Sequence, residues 1–158
     1  MTVLLNNRTE ANVRIYFEKS QQPEIKSMLP QKVKSIEEAL VDYIETQRPG
    51  AASYGRIIYV NGKYIGDVWC YCIDKDETPN AMLSFCVFEK TFWRKGIATE
   101  AVSLFLKMVH EKYKIETVGA FTFSDNVASQ RVLEKNNFQL LEEFVEDGKA
   151  SKYYQLSL

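Results

Sequence analysis

The chain has one histidine, His110, and three cysteines among its 158 residues, and no apolar run approaching 18 residues. One histidine and no Cys-x-x-Cys pair leave nothing from which to build a zinc cluster, so no metal site is expected. Without a long apolar run no membrane span is expected. The sequence also has no cationic-plus-apolar leader, so a cytoplasmic protein is the expectation. Neither charge is in excess. Twenty basic residues against 21 acidic ones give a net charge of −1, so no global charge draws the chain to nucleic acid or to a membrane surface. Cys70, Cys72 and Cys86 all fall in apolar, strand-like segments, and the expectation is three buried free thiols, with Cys70 and Cys72 on one strand face.

What is present is a length suited to one core and a high content of Phe and Tyr, nine of each. One domain over residues 1–158 is therefore expected. Val3 to Leu5 reads as a short strand. Residues 9–19 fit a helix capped by Thr9, with Val13, Tyr16 and Phe17 on one face; the competing reading is a strand from Asn12 to Glu18, because Val13, Ile15 and Phe17 alternate. Pro23 opens a short helical segment that Pro30 stops. Ser35, with Glu38 three residues on, caps a helix whose apolar stripe is Ile36, Ala39, Leu40, Tyr43 and Ile44. Two strands around Asn61-Gly62 form a hairpin. A third, from Ala81 to Phe88, pairs antiparallel with the second.

The stretch from Phe92 to Lys112 organises the rest. Its turn, Arg94-Lys95-Gly96-Ile97-Ala98, runs from a strand into an amphipathic helix that turns Ala98, Ala101, Val102, Phe105, Met108 and Val109 inward. Unpaired N–H groups at such a helix start, with the helix dipole and two basic side chains, make an anion site. A strand from Ile115 to Phe123 completes a strand–helix–strand crossover. A helix from Ala128 to Lys135 follows, ending where Asn136-Asn137 supplies a left-handed cap. Strands from Phe138 to Val145 and Lys152 to Leu156 then flank the turn Glu146-Asp147-Gly148. The order of elements predicts an α/β (α+β) fold: a mixed, strongly twisted sheet with helices on both faces.

Along nearly its whole length the chain resembles the GNAT superfamily of N-acetyltransferases, and more closely its ribosomal-protein N-terminal acetyltransferase (RimJ/RimL-like) branch. The segments that carry the resemblance are SQQPEIKSMLP followed by SIEEALVDYIE, then NGKYIGDV, FWRKGIATEAVSLFLKMV and SDNVASQRVLEKNNF. It implies that acetyl-CoA is the cosubstrate. By this resemblance Phe88, at the end of the strand before the turn, and Arg94, Lys95, Gly96, Ile97, Ala98 and Thr99 surround the cofactor. Asn126 hydrogen-bonds the cofactor arm or the backbone that positions it, and the hydroxyl of Ser129 meets the departing thiol. Trp93 stands where the family often has Gln or Arg, and Leu133 where many relatives carry a tyrosine acid. Asn137 replaces a glycine.

The implied chemistry is direct transfer of an acetyl group to a primary amine, of a protein N-terminus or a small molecule. It requires a base for the ammonium and a donor for the developing oxyanion. Relatives often carry a glutamate early in the central strand; here the matching positions are Ala81 and Met82. Base candidates elsewhere are Asp67, Glu89, Glu142, Glu143, Glu146 and Asp147, and a water relay is the other route. Trp69 and Tyr71 either line the acceptor cleft or pack in the core. His110 has a structural role. A homodimer is common in the branch. Two further readings stand beside the enzyme: an acetyl-CoA-binding protein of degenerate activity, and a non-enzymatic partner protein.

Overall fold

The computed structural model describes residues 1–30 and 33–158. In chain order the elements are β1 (Val3–Asn7), α1 (Glu10–Ser20), α2 (Pro23–Lys26), α3 (Ile36–Thr46), β2 (Tyr54–Val60), β3 (Lys63–Asp74) and β4 (Asn80–Val87). After them come α4 (Ile97–Tyr113), β5 (Thr117–Phe123), α5 (Val127–Lys135), β6 (Gln139–Glu146) and β7 (Lys149–Ser157). The strands form one seven-stranded sheet in the order β1-β2-β3-β4-β5-β7-β6. Among the described residues only β4 and β5 run parallel. The α/β sheet, twisted and flanked by helices, matches the expected fold class.

Residues 9–19 resolve as helix. Thr9 accepts the Asn12 N–H at 3.2 Å, and Ile15, which a strand would have turned inward with Val13, is exposed. The hairpin forms as expected, with Asn61 and Gly62 both at positive φ, 53° and 75°, as a type I′ turn requires. Asp147 and Gly148 repeat that geometry between β6 and β7. Ser35 caps α3 by accepting the Glu38 N–H at 3.1 Å. The apolar stripe of α3 is nevertheless only half covered, and Ile44 keeps 51% of its surface in water. The reason is position: α3 lies along α1 and is held at Tyr43, whose hydroxyl donates to the Arg8 carbonyl at 3.1 Å, so it never reaches the sheet core.

Two apolar layers cover the sheet. On one face α4 and α5 bury Ile97, Ala101, Val102, Phe105, Leu106, Val109 and Leu133 against Val68, Cys70, Leu83, Val118 and Tyr154. Leu106 belongs to this layer, while Ala98 and Met108 are half-buried at its margin. On the other face a smaller layer joins Ile25 to Cys86 and Phe88, with Tyr16, Leu29, Tyr64 and Trp93 packed around them.

The cysteine expectation is corrected at one position. Cys70 and Cys86 are buried free thiols, but Cys72 is exposed. The pairing of β3 with β4 slips between Tyr71 and Asp74, and Cys72 sits in that irregularity at φ 51°. A bulge adds a residue to one strand and breaks the two-residue alternation that would have put Cys72 beside Cys70.

Candidate functional site

The sheet opens in the middle. Parallel pairing joins β4 to β5 at only three positions, Asn80–Thr117, Ala81–Val118 and Met82–Gly119. Beyond Met82 and Gly119 the strands separate: β4 keeps its pairs with β3 up to Val87, and β5 keeps its pairs with β7 up to Phe123. The facing edges of the two strands leave peptide groups that need partners. α4 begins above this fork.

The N-terminus of α4 differs from those of the other three long helices. Thr9, Ser35 and Asn126 cap α1, α3 and α5 through their side chains. Gly96, the N-cap of α4, offers none. The first helical bond runs from the Glu100 N–H to the Gly96 carbonyl at 3.1 Å, so the N–H groups of Ile97, Ala98 and Thr99 have no partner inside the helix. Gly96 reaches this geometry at φ 77°, and Arg94 also lies in the left-handed region at φ 62°. The Arg94 and Lys95 side chains are exposed beside these amides. The turn can therefore bind an oxyanion with main-chain donors and two cations.

Trp93 fixes the turn in place. Its indole N–H donates to the Val87 carbonyl at 2.7 Å, joining the loop to the last residue of β4. Asn136 ties down the other side by donating to the Thr99 carbonyl at 3.2 Å.

Asn126 and Ser129 meet at the start of α5. The Asn126 Oδ1 accepts the Ser129 N–H at 3.1 Å, which leaves the Asn126 amide N–H groups free to donate. Among the described residues the Ser129 hydroxyl has no hydrogen-bond partner, and it is half-buried. Gln130, which sequence reading passed over, is buried and donates to the Ser124 carbonyl at 2.9 Å, while its carbonyl accepts from Lys152 at 3.1 Å. It fixes the loop that carries Asn126. Phe88 is placed differently from the other cofactor candidates. Only 2% exposed, it packs edge-on to Tyr64 at 5.0 Å, and its N–H is taken by the Ile65 carbonyl. Ile97 is buried as well and offers the site only its backbone.

The face of the sheet under α1 carries Asp67, Trp69 and Tyr71 from β3 opposite Cys86, Ser84 and Met82 from β4. Asp67 is buried, accepts the Tyr64 hydroxyl and lies 3.2 Å from the Arg8 Nε. The Arg8 Nε–H finds no hydrogen-bonded acceptor, so this contact is an ion pair without an aligned hydrogen bond. Burial raises the Asp67 carboxyl above its ordinary range, against the opposing pull of Arg8 and the Tyr64 hydrogen bond. Burial also raises the Tyr64 and Tyr16 phenols. Trp69 lies edge-on to Tyr16 at 5.9 Å with the Arg8 guanidinium 5.6 Å from its ring.

Three carboxylates on the base list are thus ion-paired: Asp67, the exposed Glu143, and Glu89, which lies 3.5 Å from both Lys19 and Lys63. Glu143 reaches Lys152 at 3.7 Å, whereas Glu142, Glu146 and Asp147 are exposed. Ala81 is buried in the α4 layer and Met82 half-buried beside the fork. His110 holds the far end of α4, its Nδ1 lying 2.9 Å from the Ile115 carbonyl. Among the described residues no cluster of His, Cys, Asp and Glu could hold a metal ion, and no helix is long and apolar enough to cross a membrane.

Several solved structures share this architecture. Spermidine N-acetyltransferase from Vibrio cholerae, in complex with CoA and spermine, superposes with a TM-score of 0.86 at 14% identity, over 98% of this chain and 95% of that one. RimL, a ribosomal alpha-N-protein acetyltransferase in complex with coenzyme A, gives a TM-score of 0.82 at 19% identity, over 100% of this chain and 95% of that one. The aminoglycoside acetyltransferase AAC(6')-Ib, in complex with coenzyme A, gives 0.82 at 14% identity, over 99% and 95%. At these identities the likeness is one of fold. No curated protein matches the sequence. The family model for the acetyltransferase (GNAT) domain matches residues 3–139, most of the chain and all of the fork, turn and α5 just described, and the chain belongs to that family.

Proposed function

We propose that this chain is an acetyl-CoA-dependent N-acetyltransferase that moves an acetyl group directly to a primary amine. The observation that carries the reading is the uncapped start of α4, Ile97 to Thr99, standing over the fork at Met82 and Gly119. A phosphorylated cofactor with an amide-bearing arm matches both features. Its pyrophosphate takes the free N–H groups with Arg94 and Lys95, and its arm meets the open edges of β4 and β5. Asn126 and Ser129 line the entrance from α5. Structural relatives crystallised with coenzyme A support this choice of cofactor.

In the transfer, the neutral amine attacks the thioester carbonyl. A main-chain N–H of β4 stabilises the oxyanion, and the C–S bond then breaks. No protein nucleophile is needed. The acceptor is a protein N-terminus, as in the ribosomal-protein branch, or a small amine; the whole of residues 1–158 acts as one domain, in the cytoplasm.

Binding of acetyl-CoA by calorimetry, followed by thiol release with a panel of N-terminal peptides, polyamines and aminoglycosides, tests the proposal. Failure to bind acetyl-CoA sinks it. A second reading, a cofactor-binding protein with little transferase activity, is favoured by two observations: Leu133 is 1% exposed and apolar, and Ala81 and Met82 carry no carboxylate. Tight binding without turnover on the whole panel supports that reading.

A further inference from the structure

The vertex of the fork holds a phenol. Gly119 is the last residue of β5 paired to β4, and a Cβ built on it would meet the Tyr153 hydroxyl at 2.5 Å and the Met82 sulfur at 2.9 Å. Tyr153 on β7 therefore reaches across Gly119 to the point where the strands part. Its ring is braced by Phe121, with centroids 4.9 Å apart. The Gln155 amide donates to its oxygen at 3.4 Å, and among the described residues no group accepts its proton. On its own face the pairing sets Glu142 opposite it on β6, and Lys149 lies four residues back along β7 with its ammonium 4.1 Å from the Phe123 ring. Neither forms an ion pair in the described structure. On α5, Leu133 has no proton to give, and Ser129 near its start is that helix's one hydroxyl.

Resting on the acetyltransferase reading, we infer that Tyr153 is the catalytic proton donor to the coenzyme A sulfur. The amine lone pair forms the C–N bond, and the ammonium proton passes to water. When the tetrahedral intermediate collapses, the C–S electron pair goes to sulfur, which takes the Tyr153 proton and leaves as the thiol. The phenolate recovers a proton from the same water, so charge and atoms balance. Gly119 is the permissive element, since any side chain there would displace the phenol.

The test compares the full chain with Tyr153→Phe, which keeps the ring and its packing. The ionisation of bound coenzyme A is followed by thiolate ultraviolet absorbance, with desulfo-coenzyme A as the blank. A hydrogen bond from Tyr153 to sulfur stabilises the thiolate, so the substitution is expected to lower the ionisation constant of the bound thiol by about tenfold while binding persists. The same constant in both proteins overturns the inference and leaves the acetyltransferase reading standing. Failure of the wild-type chain to bind coenzyme A overturns both. The titration needs no acceptor, so it decides even where no amine in the panel is acetylated. With an active acceptor, kcat falls by about 100-fold and KM for acetyl-CoA holds. A kcat within twofold of wild type overturns the inference.

Discussion

The indole N–H of Trp93 donates to the Val87 carbonyl at 2.7 Å, so the turn before α4 is bonded to the end of the strand that forms one side of the fork. The free amides at the start of α4 and the open strand edge of the fork are thereby held in one frame. Trp93→Phe keeps the ring and loses the donor. The expected cost is about 1 kcal/mol of stability, with a several-fold loss of coenzyme A affinity. Denaturant unfolding and calorimetry measure the two separately, and an unchanged affinity would remove Trp93 from the site's framework.

Arg94 occupies the left-handed region at φ 62°, where a side chain costs energy and glycine does not. Arg94→Gly is therefore expected to raise stability by about 1 kcal/mol while weakening coenzyme A binding, because a cation beside the phosphate-facing amides is lost. Opposite signs in thermal unfolding and in affinity are the signature to look for.

Asn126 and Ser129 separate by the same logic. Asn126→Ala removes a helix cap and costs about 1 kcal/mol. Ser129→Ala leaves no polar group to strand, since its hydroxyl has no partner among the described residues, so thermal stability stays within about 0.5 kcal/mol. If Ser129 meets the thiol, kcat nonetheless falls. A Ser129→Ala enzyme with full activity would exclude the hydroxyl from the reaction.

Breaking the buried pair of Arg8 and Asp67 should be costly. Arg8→Met strands the Asp67 carboxylate, which burial already holds above its ordinary pKa, and about 3 kcal/mol is expected to be lost. Adding Asp67→Asn should restore part of the loss. A raised folded pKa makes the single variant's deficit shrink as pH falls and the acid becomes neutral, and grow as pH rises through that pKa. A deficit independent of pH would contradict this account.

The thiols sort by burial. Burial pushes Cys70 and Cys86 up from an ordinary 9.0 to about 12, whereas Cys72 is exposed. One thiol, Cys72, should react with a disulfide reagent at pH 8 in the folded protein, and three after denaturation. Because the folded values are raised, the two buried thiols leave stability intact below pH 9. Each lowers it by about 1.4 kcal/mol per pH unit between 9 and 12. Fast labelling of two or more thiols in the native state would contradict the packing.

The α4 segment was legible because its signals are local. A glycine between basic residues and a helical repeat specifies an uncapped helix start, while Asn126 and Ser129 were pointed to only by the family resemblance of their segment. The two type I′ turns at Asn61-Gly62 and Asp147-Gly148 are local for the same reason. Phe88 ends the strand before the turn as its sequence position indicates, but only the tertiary structure shows its side chain turned into the α1 layer. Cys72 was misplaced because a bulge has no signature in a run of apolar residues. Gln130 and Tyr153 were not found at all. Their importance comes from Ser124, Lys152, Gly119 and Met82, and those contacts exist only once β7 has inserted between β5 and β6.

What the sequence determined by itself was the set of elements, their order and the glycine turn before α4, since each rests on periodicity, caps and turns within a few residues of one another, whereas the family rested on the likeness of several motifs along the chain. Tertiary structure alone decided what stands beside that turn. The fork depends on β4 and β5 pairing at three positions and no further, and its vertex depends on a glycine on one strand accommodating a tyrosine from another. Such contacts join residues far apart in the chain, and no local pattern encodes them.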